Sequence, residues 1–238
     1  MKNFKYTLFS LVLLMSFGLK AQNLEEGTIK VVISEVNSDN EQMAAQLEML
    51  KGSETAYHFN KDKSLVTAEM MGGMIKIKSL VNNADEHMTL LFDAMGQKMM
   101  IESTKEERDK SMTDEAREAT ENMKVTYDKS DTKKILGYDC IKANISGGDE
   151  SPMKFSMYVS KDIKASNKMI QGLQGIKLEG FPLEYIMEMP EMSMTYTASE
   201  ILKSVDSNVF NVETSGFTKM TFEEFTQQMG AFGGGMGF

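Results

Sequence analysis

The sequence predicts a mainly β protein of the α+β class, built as one curled antiparallel sheet, or half-barrel, with two or three short helices. Three observations predict this fold. Apolar and polar residues alternate along most of the chain, as in half-buried strands. Short turns join most consecutive segments, and such connections favour antiparallel pairing. The segments number about ten, and a sheet of about ten strands curls or splits rather than staying flat.

The alternating segments follow one another as a meander that is interrupted once. A turn at Gly72-Gly73 and polar turns around Asn82 and Gly96 separate the early strands. Alternation then resumes after a charged stretch. The first apolar residues of the predicted strands are Ile29, Tyr57, Val66, Ile75, Met88, Met99, Val125, Ile141, Met153, Leu183 and Met192.

An early helix is predicted between the first two strands. Ser38 and Glu41 have the spacing of a capping box, and Gly52 ends the segment. Apolar residues at helical spacing would give this helix one apolar face. We expect it to lie in the concave face of the curled sheet, where both apolar surfaces would be buried.

Two further segments have helical character. Residues 104–122 are dense in charged side chains and form an excursion from the sheet, part helix and part loop. Thr221 and Glu224 form a second capping-box pattern at the start of a final short helix. Its apolar stripe would consist of Phe222, Phe225 and Met229.

The chain begins with the pattern of a secretory signal peptide. Lys2 and Lys5 form a basic start, an apolar run ends near Gly18, and Ala21 is a small residue at the expected cleavage point. The apolar run is shorter than the roughly 20 residues needed to span a bilayer. We therefore expect a signal peptide at 1–21, cut after Ala21, and a periplasmic or secreted protein without a transmembrane anchor.

The remaining chain is predicted to be one domain with a terminal tail. Residues 22–229 form the half-barrel, with 104–122 as its charged excursion, and the glycine-rich stretch 230–238 is expected to be disordered. Loss of residues 1–21 would change the formal net charge from −9 to about −12, since three lysines leave. This acidic balance excludes nucleic acid as an expected partner.

The sequence indicates no catalytic residues and no cofactor. Its two histidines, His58 and His87, are interpreted as ordinary surface residues, and neither lies in a catalytic pattern. The lone Cys140 lies in a strand-like run and is expected to be buried. We therefore predict a protein that is not an enzyme.

Methionine is the unusual residue type, with 23 copies in 238 residues. Around Pro190-Glu191, a two-residue turn would place Met189 opposite Met192, Met187 opposite Met194, and Tyr185 opposite Tyr196, all on one sheet face. Three interpretations stay open for this methionine hairpin. Its side chains fill the core, line a hollow for an apolar ligand, or bind Cu(I) or Ag(I) through Met187, Met189, Met192 and Met194.

Two stretches carry a resemblance to a known family: Ile135-Leu136-Gly137-Tyr138-Asp139-Cys140 and Gly180-Phe181-Pro182-Leu183-Glu184-Tyr185. The sequence resembles an uncharacterised family of secreted proteins of Gram-negative bacteria, a domain of unknown function. That family is similar to the half-barrel superfamily of lipoprotein carriers of the LolA and LppX type. The resemblance covers about residues 24–218. It implies a LolA-like curled sheet wrapped around helices, with an apolar hollow.

The leading hypothesis is a non-enzymatic periplasmic binding or carrier-like protein for an apolar or amphipathic ligand, of the lipid or lipoprotein type. A lipid or another apolar small molecule is the expected partner. The alternatives are a soft-metal binder and a structural or interaction protein of the envelope, whose partner would be an envelope protein. The side chains predicted to line the hollow are Phe155, Met157, Leu183, Tyr185, Met187, Met194 and Tyr196.

Overall fold

The computed structural model describes residues 23–147 and 154–231. The predicted signal peptide, most of the predicted tail and residue Met153 lie outside these ranges. Twelve strands form a single sheet in the described part of the chain. They are β1 (Gly27–Ser38), β2 (Glu54–Phe59), β3 (Lys63–Met70), β4 (Ile75–Asn82), β5 (Met88–Ala94), β6 (Gln97–Ser103), β7 (Lys124–Ile135), β8 (Tyr138–Ser146), β9 (Lys154–Ser160), β10 (Phe181–Met189), β11 (Met192–Leu202) and β12 (Thr218–Met220).

The sheet is curled and does not close, which confirms the predicted fold class. The strand order is β12-β6-β5-β4-β3-β2-β1-β11-β10-β9-β8-β7, so β12 and β7 form its two edges. Two meanders meet where β1 pairs with β11. All neighbours are antiparallel except β12, which pairs with β6 in parallel over three residues. The sequence analysis did not predict this last strand.

One face of the sheet is apolar across all twelve strands. Cross-strand partners point to the same face, so the pairings define rows of side chains. One row crosses β1 to β6 and β12, and it consists of Ile29, Tyr57, Val66, Ser79, Leu90, Ile101 and Met220. Another crosses β7 to β11 and β1, and it consists of Tyr127, Ala143, Met157, Tyr185, Tyr196 and Ile33. We call this surface the inner face.

Four short α-helices accompany the sheet in the described residues: α1 (Glu41–Glu48), α2 (Lys105–Ser111), α3 (Asp114–Glu121) and α4 (Phe222–Ala231). The start of α1 differs from the prediction. Asn40, not Ser38, is the N-cap, because its side chain accepts hydrogen bonds from the amides of Gln42 and Met43. The hydroxyl of Ser38 instead accepts from the amide of Asn40.

The other two helical predictions are confirmed. The charged excursion contains α2 and α3, and α2 begins with a capping box between Thr104 and Glu107. Before α4, the carboxylate of Glu224 accepts from the amide of Thr221, and the hydroxyl of Thr221 accepts from the amide of Glu224. These reciprocal bonds satisfy backbone donors at the start of α4.

An irregular segment covers one half of the inner face, and we call residues 161–180 the cover segment. Four of its aliphatic side chains are almost fully buried in one hydrophobic cluster with the inner face of β7 to β11, β1 and β2. They are Ile163, Ile170, Leu173 and Ile176. The expectation that α1 fills the concave face is therefore wrong. Leu47 is the buried residue of α1, and the helix packs beside β1.

The helix α4 covers the other half of the inner face. Phe225 is 1% exposed and packs with Leu90, Phe92 and Ile101 in a second, separate cluster. The rings of Phe225 and Phe92 meet edge to face, with their centroids 6.2 Å apart. The inner face thus has two separate covers, the cover segment over one half and α4 over the other.

A connection between β11 and β12 runs across the opposite, outer face. Phe210 is buried in this connection, which lies against β3. Leu65 and Leu91 point outward by strand alternation and are nevertheless buried. The ammonium of Lys98 lies 5.6 Å from the ring centre of Phe217. The outer face of β3 to β5 is therefore covered at Leu65 and Leu91.

Candidate binding face

The methionine hairpin has the register that the sequence predicts. Met189 pairs with Met192, Met187 with Met194, and Tyr185 with Tyr196. On the neighbouring strand β9, Phe155 pairs with Met187 and Met157 with Tyr185. Strand alternation therefore brings these predicted side chains together on the inner face.

Aromatic contacts organise the centre of this face. The rings of Tyr185 and Tyr196 stack with centroids 4.6 Å apart and an interplanar angle of 11°. The hydroxyl oxygens of Tyr57 and Tyr185 lie 3.4 Å apart in the buried core. Burial raises the pKa of Tyr57 to about 12 and raises the pKa of Tyr185 well above its ordinary value. Both phenols therefore stay neutral at physiological pH.

The predicted lining residues are covered to different degrees. Phe155, Met157 and Leu183 are at most 1% exposed, and the cover segment belongs to the same cluster. Tyr185 and Met194 are also buried. Met187 and Tyr196 are half-buried at the margin of the cluster. The cover segment thus occupies the space over the deeper residues, and the outer end of the hairpin is less enclosed.

The thioethers of the hairpin are not equivalent. The hydroxyl of Tyr196 donates to Sδ of Met194 over 3.7 Å, so this buried sulfur already has a polar partner. Met187, Met189 and Met192 are half-buried. The interpretation of this hairpin as a soft-metal site stays a prediction.

The seam between the two covers was not singled out by the sequence analysis. On β3 and β4, Val66, Ala68, Ile77 and Ser79 point to the inner face and are only half-buried. Val66 packs against the first hydrophobic cluster and Ile77 against the second. We call these four residues the seam. Alternation indicates that they share a face, but no pattern in the sequence indicates that the two covers leave them partly exposed.

A pocket of about 470 Å³ lies elsewhere, beside the β7–β8 turn, where the apolar floor includes Cys140 and Val159. Lys133, Asp139 and Lys161 surround the floor. Lys133 pairs with Glu184 and Lys161 pairs with Glu179, so both ammonium groups have carboxylate partners. Cys140 is buried as predicted, and burial raises the pKa of its thiol to about 11.

His58, which the sequence analysis interprets as a surface residue, is half-buried and has a polar partner within the sheet. Nδ1 of His58 lies 2.9 Å from Oγ1 of Thr28, its cross-strand partner. Burial, followed by the charge of Lys30, lowers the pKa of His58.

Among the described residues, no group of three or more His, Cys, Asp or Glu is placed to hold a metal ion. No helix in the same part of the chain has the length and apolarity to cross a membrane.

Comparison with known proteins gives structural similarity alone. No family model and no curated protein matches the chain. LppX, a lipoprotein of Mycobacterium tuberculosis, is 9% identical with a TM-score of 0.36, over 75% of this chain and 88% of LppX. LprF of Mycobacterium bovis is 11% identical with a TM-score of 0.32, over 77% of this chain and 89% of LprF.

A third similar structure is MucB of Pseudomonas aeruginosa, solved in complex with MucA. It is 8% identical with a TM-score of 0.34, over 82% of this chain and 58% of the MucB structure. LppX, whose type the sequence analysis names, is one of these similar structures.

Proposed function

We propose that this protein is a non-enzymatic binding or carrier-like protein of the periplasm that holds an apolar or amphipathic ligand against the inner face. The ligand class is a lipid or a lipid-modified chain. The observation that carries the proposal is the seam, an apolar strip on the inner face that neither cover buries completely.

The seam supports the binding of an apolar ligand because it lies between the two hydrophobic clusters and contacts both. An acyl chain lying along Val66, Ala68 and Ile77 would bury apolar surface of both partners, at about 25 cal/mol per Å². The hydroxyl of Ser79 lies in the same strip and offers a polar contact. Apolar walls with a few polar groups are typical of small-molecule binding sites.

Outward movement of the cover segment would open a larger hollow over the inner face than the seam alone provides. Four buried aliphatic side chains on an irregular backbone make its hydrophobic contacts with the inner face, and the amide of Glu179 donates to the hydroxyl of Tyr127 over 2.8 Å. An acyl chain that replaced these contacts would break none of the hydrogen bonds between strands. In this proposal the deeper residues Phe155, Met157 and Leu183 contact the ligand after the cover segment moves outward. Met187, Met194, Tyr185 and Tyr196 complete that wall.

The amino-terminal pattern supports a periplasmic or external location, and the acidic charge bears on what the protein docks to. A cleaved signal peptide would deliver the domain to the periplasm or the exterior, where lipids pass between membranes. After loss of residues 1–21, the formal net charge of about −12 disfavours stable docking to anionic surfaces and favours a soluble carrier. Binding would be reversible, with no covalent step.

A fluorescent long-chain fatty acid tests the seam directly. Ala68→Trp fills the seam with a large side chain, and Glu69→Trp adds the same side chain to the outer face one residue later. We expect Ala68→Trp to weaken fatty-acid binding at least tenfold and Glu69→Trp to leave it within about twofold of the native chain. Circular dichroism and urea unfolding would show that both variants fold.

Three outcomes would contradict the proposal. In the first, the native chain does not bind the fluorescent fatty acid at micromolar concentration. In the second, native mass spectrometry of the gently purified protein detects no bound lipid. In the third, Ala68→Trp and Glu69→Trp bind the fatty acid equally well. A separate variant, Met187→Glu, places a charge at the open end of the hairpin wall. If the wall contacts the ligand, this variant also weakens binding.

A further inference from the structure

Two turns at one end of the sheet bring methionines together. The β3–β4 turn contains Met71 and Met74, and the β5–β6 turn begins with Met95. The amide of Met95 donates to the carbonyl oxygen of Met74 over 2.9 Å, and the amide of Met74 donates to the carbonyl oxygen of Met71 over 3.4 Å. The three residues therefore form one backbone-linked group, which we call the turn methionines.

The turn methionines contribute little to the core. Met95 is 83% exposed and Met74 is 48% exposed, and Met71 is half-buried. None of the three belongs to either hydrophobic cluster. An exposed thioether gains little from hydrophobic burial, so packing does not account for three methionines at this position.

The backbone of both turns is held in a conformation that side chains disfavour. Met71 and Met95 each have φ of 52°, in the left-handed region, and each precedes a glycine. Left-handed backbone is unfavourable for a residue that has a Cβ atom. The turn at Met95 and Gly96 is of the kind for which asparagine or aspartate is usual at the first position.

Thioethers at this spacing have a defined chemistry. Adjacent strands lie about 4.8 Å apart, and the unbranched methionine side chain has three rotatable bonds, so rotation of these side chains can bring sulfurs from neighbouring turns to a common point. Thioethers are soft ligands that select Cu(I). We propose that Met71, Met74 and Met95 form a thioether site for a soft monovalent cation, Cu(I) or Ag(I).

The charges beside the turn methionines are balanced, since Lys76 and Lys98 are the cross-strand neighbours of Asp93. The carboxylates of Glu69 and Asp93 lie beside the turns: Glu69 pairs with Lys76 at 3.8 Å, and Asp93 accepts from the amide of Gly96 at 3.0 Å. The site differs from the methionine hairpin, where Met194 is buried and its sulfur accepts a hydrogen bond. Exposed thioethers with free lone pairs are the better ligands.

The test is titration of the intact protein with Cu(I) under anaerobic conditions against a chromogenic competing chelator. We expect binding of one Cu(I) per chain and an affinity at least tenfold lower in the double variant Met74→Leu/Met95→Leu. Leucine fits this backbone, because Leu136 occupies the matching left-handed position before Gly137 with φ of 48°. The variant should therefore fold like the native chain.

A matched control is the hairpin double variant Met187→Leu/Met194→Leu, which should keep native affinity. Methyl resonances of ¹³C-methyl-methionine chains, recorded with Ag(I), should shift for Met71, Met74 and Met95. The proposal is overturned if the native chain does not compete for Cu(I), if the turn variant binds as well as the native chain, or if the loss appears in the hairpin variant instead. None of these outcomes depends on fatty-acid binding.

Discussion

Leu24 and Ile163 form a parallel bridge that joins the start of the described chain to the cover segment. The amide of Leu24 donates to the carbonyl oxygen of Asp162 over 2.7 Å, and the amide of Lys164 donates to the carbonyl oxygen of Leu24 over 2.9 Å. Both side chains are buried in the first hydrophobic cluster. The bridge therefore holds the cover segment at its beginning.

Shortening the side chain of Leu24 should loosen the cover segment. Leu24→Ala removes a buried side chain and should lower the free energy of unfolding by about 2–5 kcal/mol. Amide hydrogen exchange at residues 163–176 should become faster, whereas β3 to β5 should keep their protection. Leu202→Ala is the control, since Leu202 is 44% exposed and its truncation should cost about 0.5 kcal/mol or less. Equal effects of the two variants would contradict the role of the bridge.

Close backbone packing explains why residue 180, in the second of the two stretches that carry the family resemblance, is a glycine. Gly180 has φ of 150°, and a Cβ atom added to it would lie 2.1 Å from the carbonyl oxygen of Ser160. We expect Gly180→Ala to lower the free energy of unfolding by about 3 kcal/mol or more, because backbone must move. Gly216→Ala meets open space at φ of 80° and should cost about 1–2 kcal/mol. Urea unfolding of both variants distinguishes a close approach from a simple turn preference.

His58 should make the folded state less stable in mild acid. Its folded pKa lies below the ordinary value of about 6.5, so the unfolded chain binds the proton more readily. The His58 contribution is complete above about pH 6.5 and is lost as the pH falls through the folded pKa. The measurement is the free energy of unfolding at pH 7.5 and at pH 5.

Replacement of His58 should reduce this pH dependence. In His58→Gln the difference between the two pH values should be smaller than in the native chain, since the titrating group is gone. His87→Gln serves as the comparison, because it removes a histidine outside the contact with Thr28. An identical pH dependence in all three proteins would show that His58 does not contribute.

Cys140 should react slowly with thiol reagents in the folded state. A pKa of about 11, against an ordinary value of 9.0, leaves about a hundredfold less thiolate at pH 8, and the thiolate is the reactive form. Its residue exposure is 1%. With a disulfide-exchange reagent we expect labelling at least a hundredfold slower in buffer than in guanidinium chloride. Comparable rates in the two solvents would mean that the neighbouring pocket gives access to the thiol.

The strands were largely predictable because each carries its own period of two. Alternation identified the segments of β1 to β11, and the turn at Pro190 fixed the register of Tyr185 with Tyr196. The same argument failed for β12, which has three residues and pairs in parallel after a long connection. A strand of three residues is too short to show a period.

The covers of the inner face were harder to predict than the face itself. Ile163, Ile170, Leu173 and Ile176 follow neither strand nor helix spacing, so no periodicity marks the cover segment as core. The available signal was a polar stretch with five large aliphatic residues, these four and Leu178. The early helix had a clear pattern, yet tertiary contacts place it beside β1, and propensity does not determine location.

An unclosed sheet has a consequence for the behaviour of the protein at high concentration. Each edge strand exposes amides and carbonyls that can pair with another molecule. Here one edge, β12, has only three residues, and the other, β7, carries charged residues such as Asp131 and Lys133 and is bulged between Asp128 and Thr132. Short, charged and bent edges resist strand-to-strand aggregation. The inner face can therefore stay accessible without making the sheet a template for fibres.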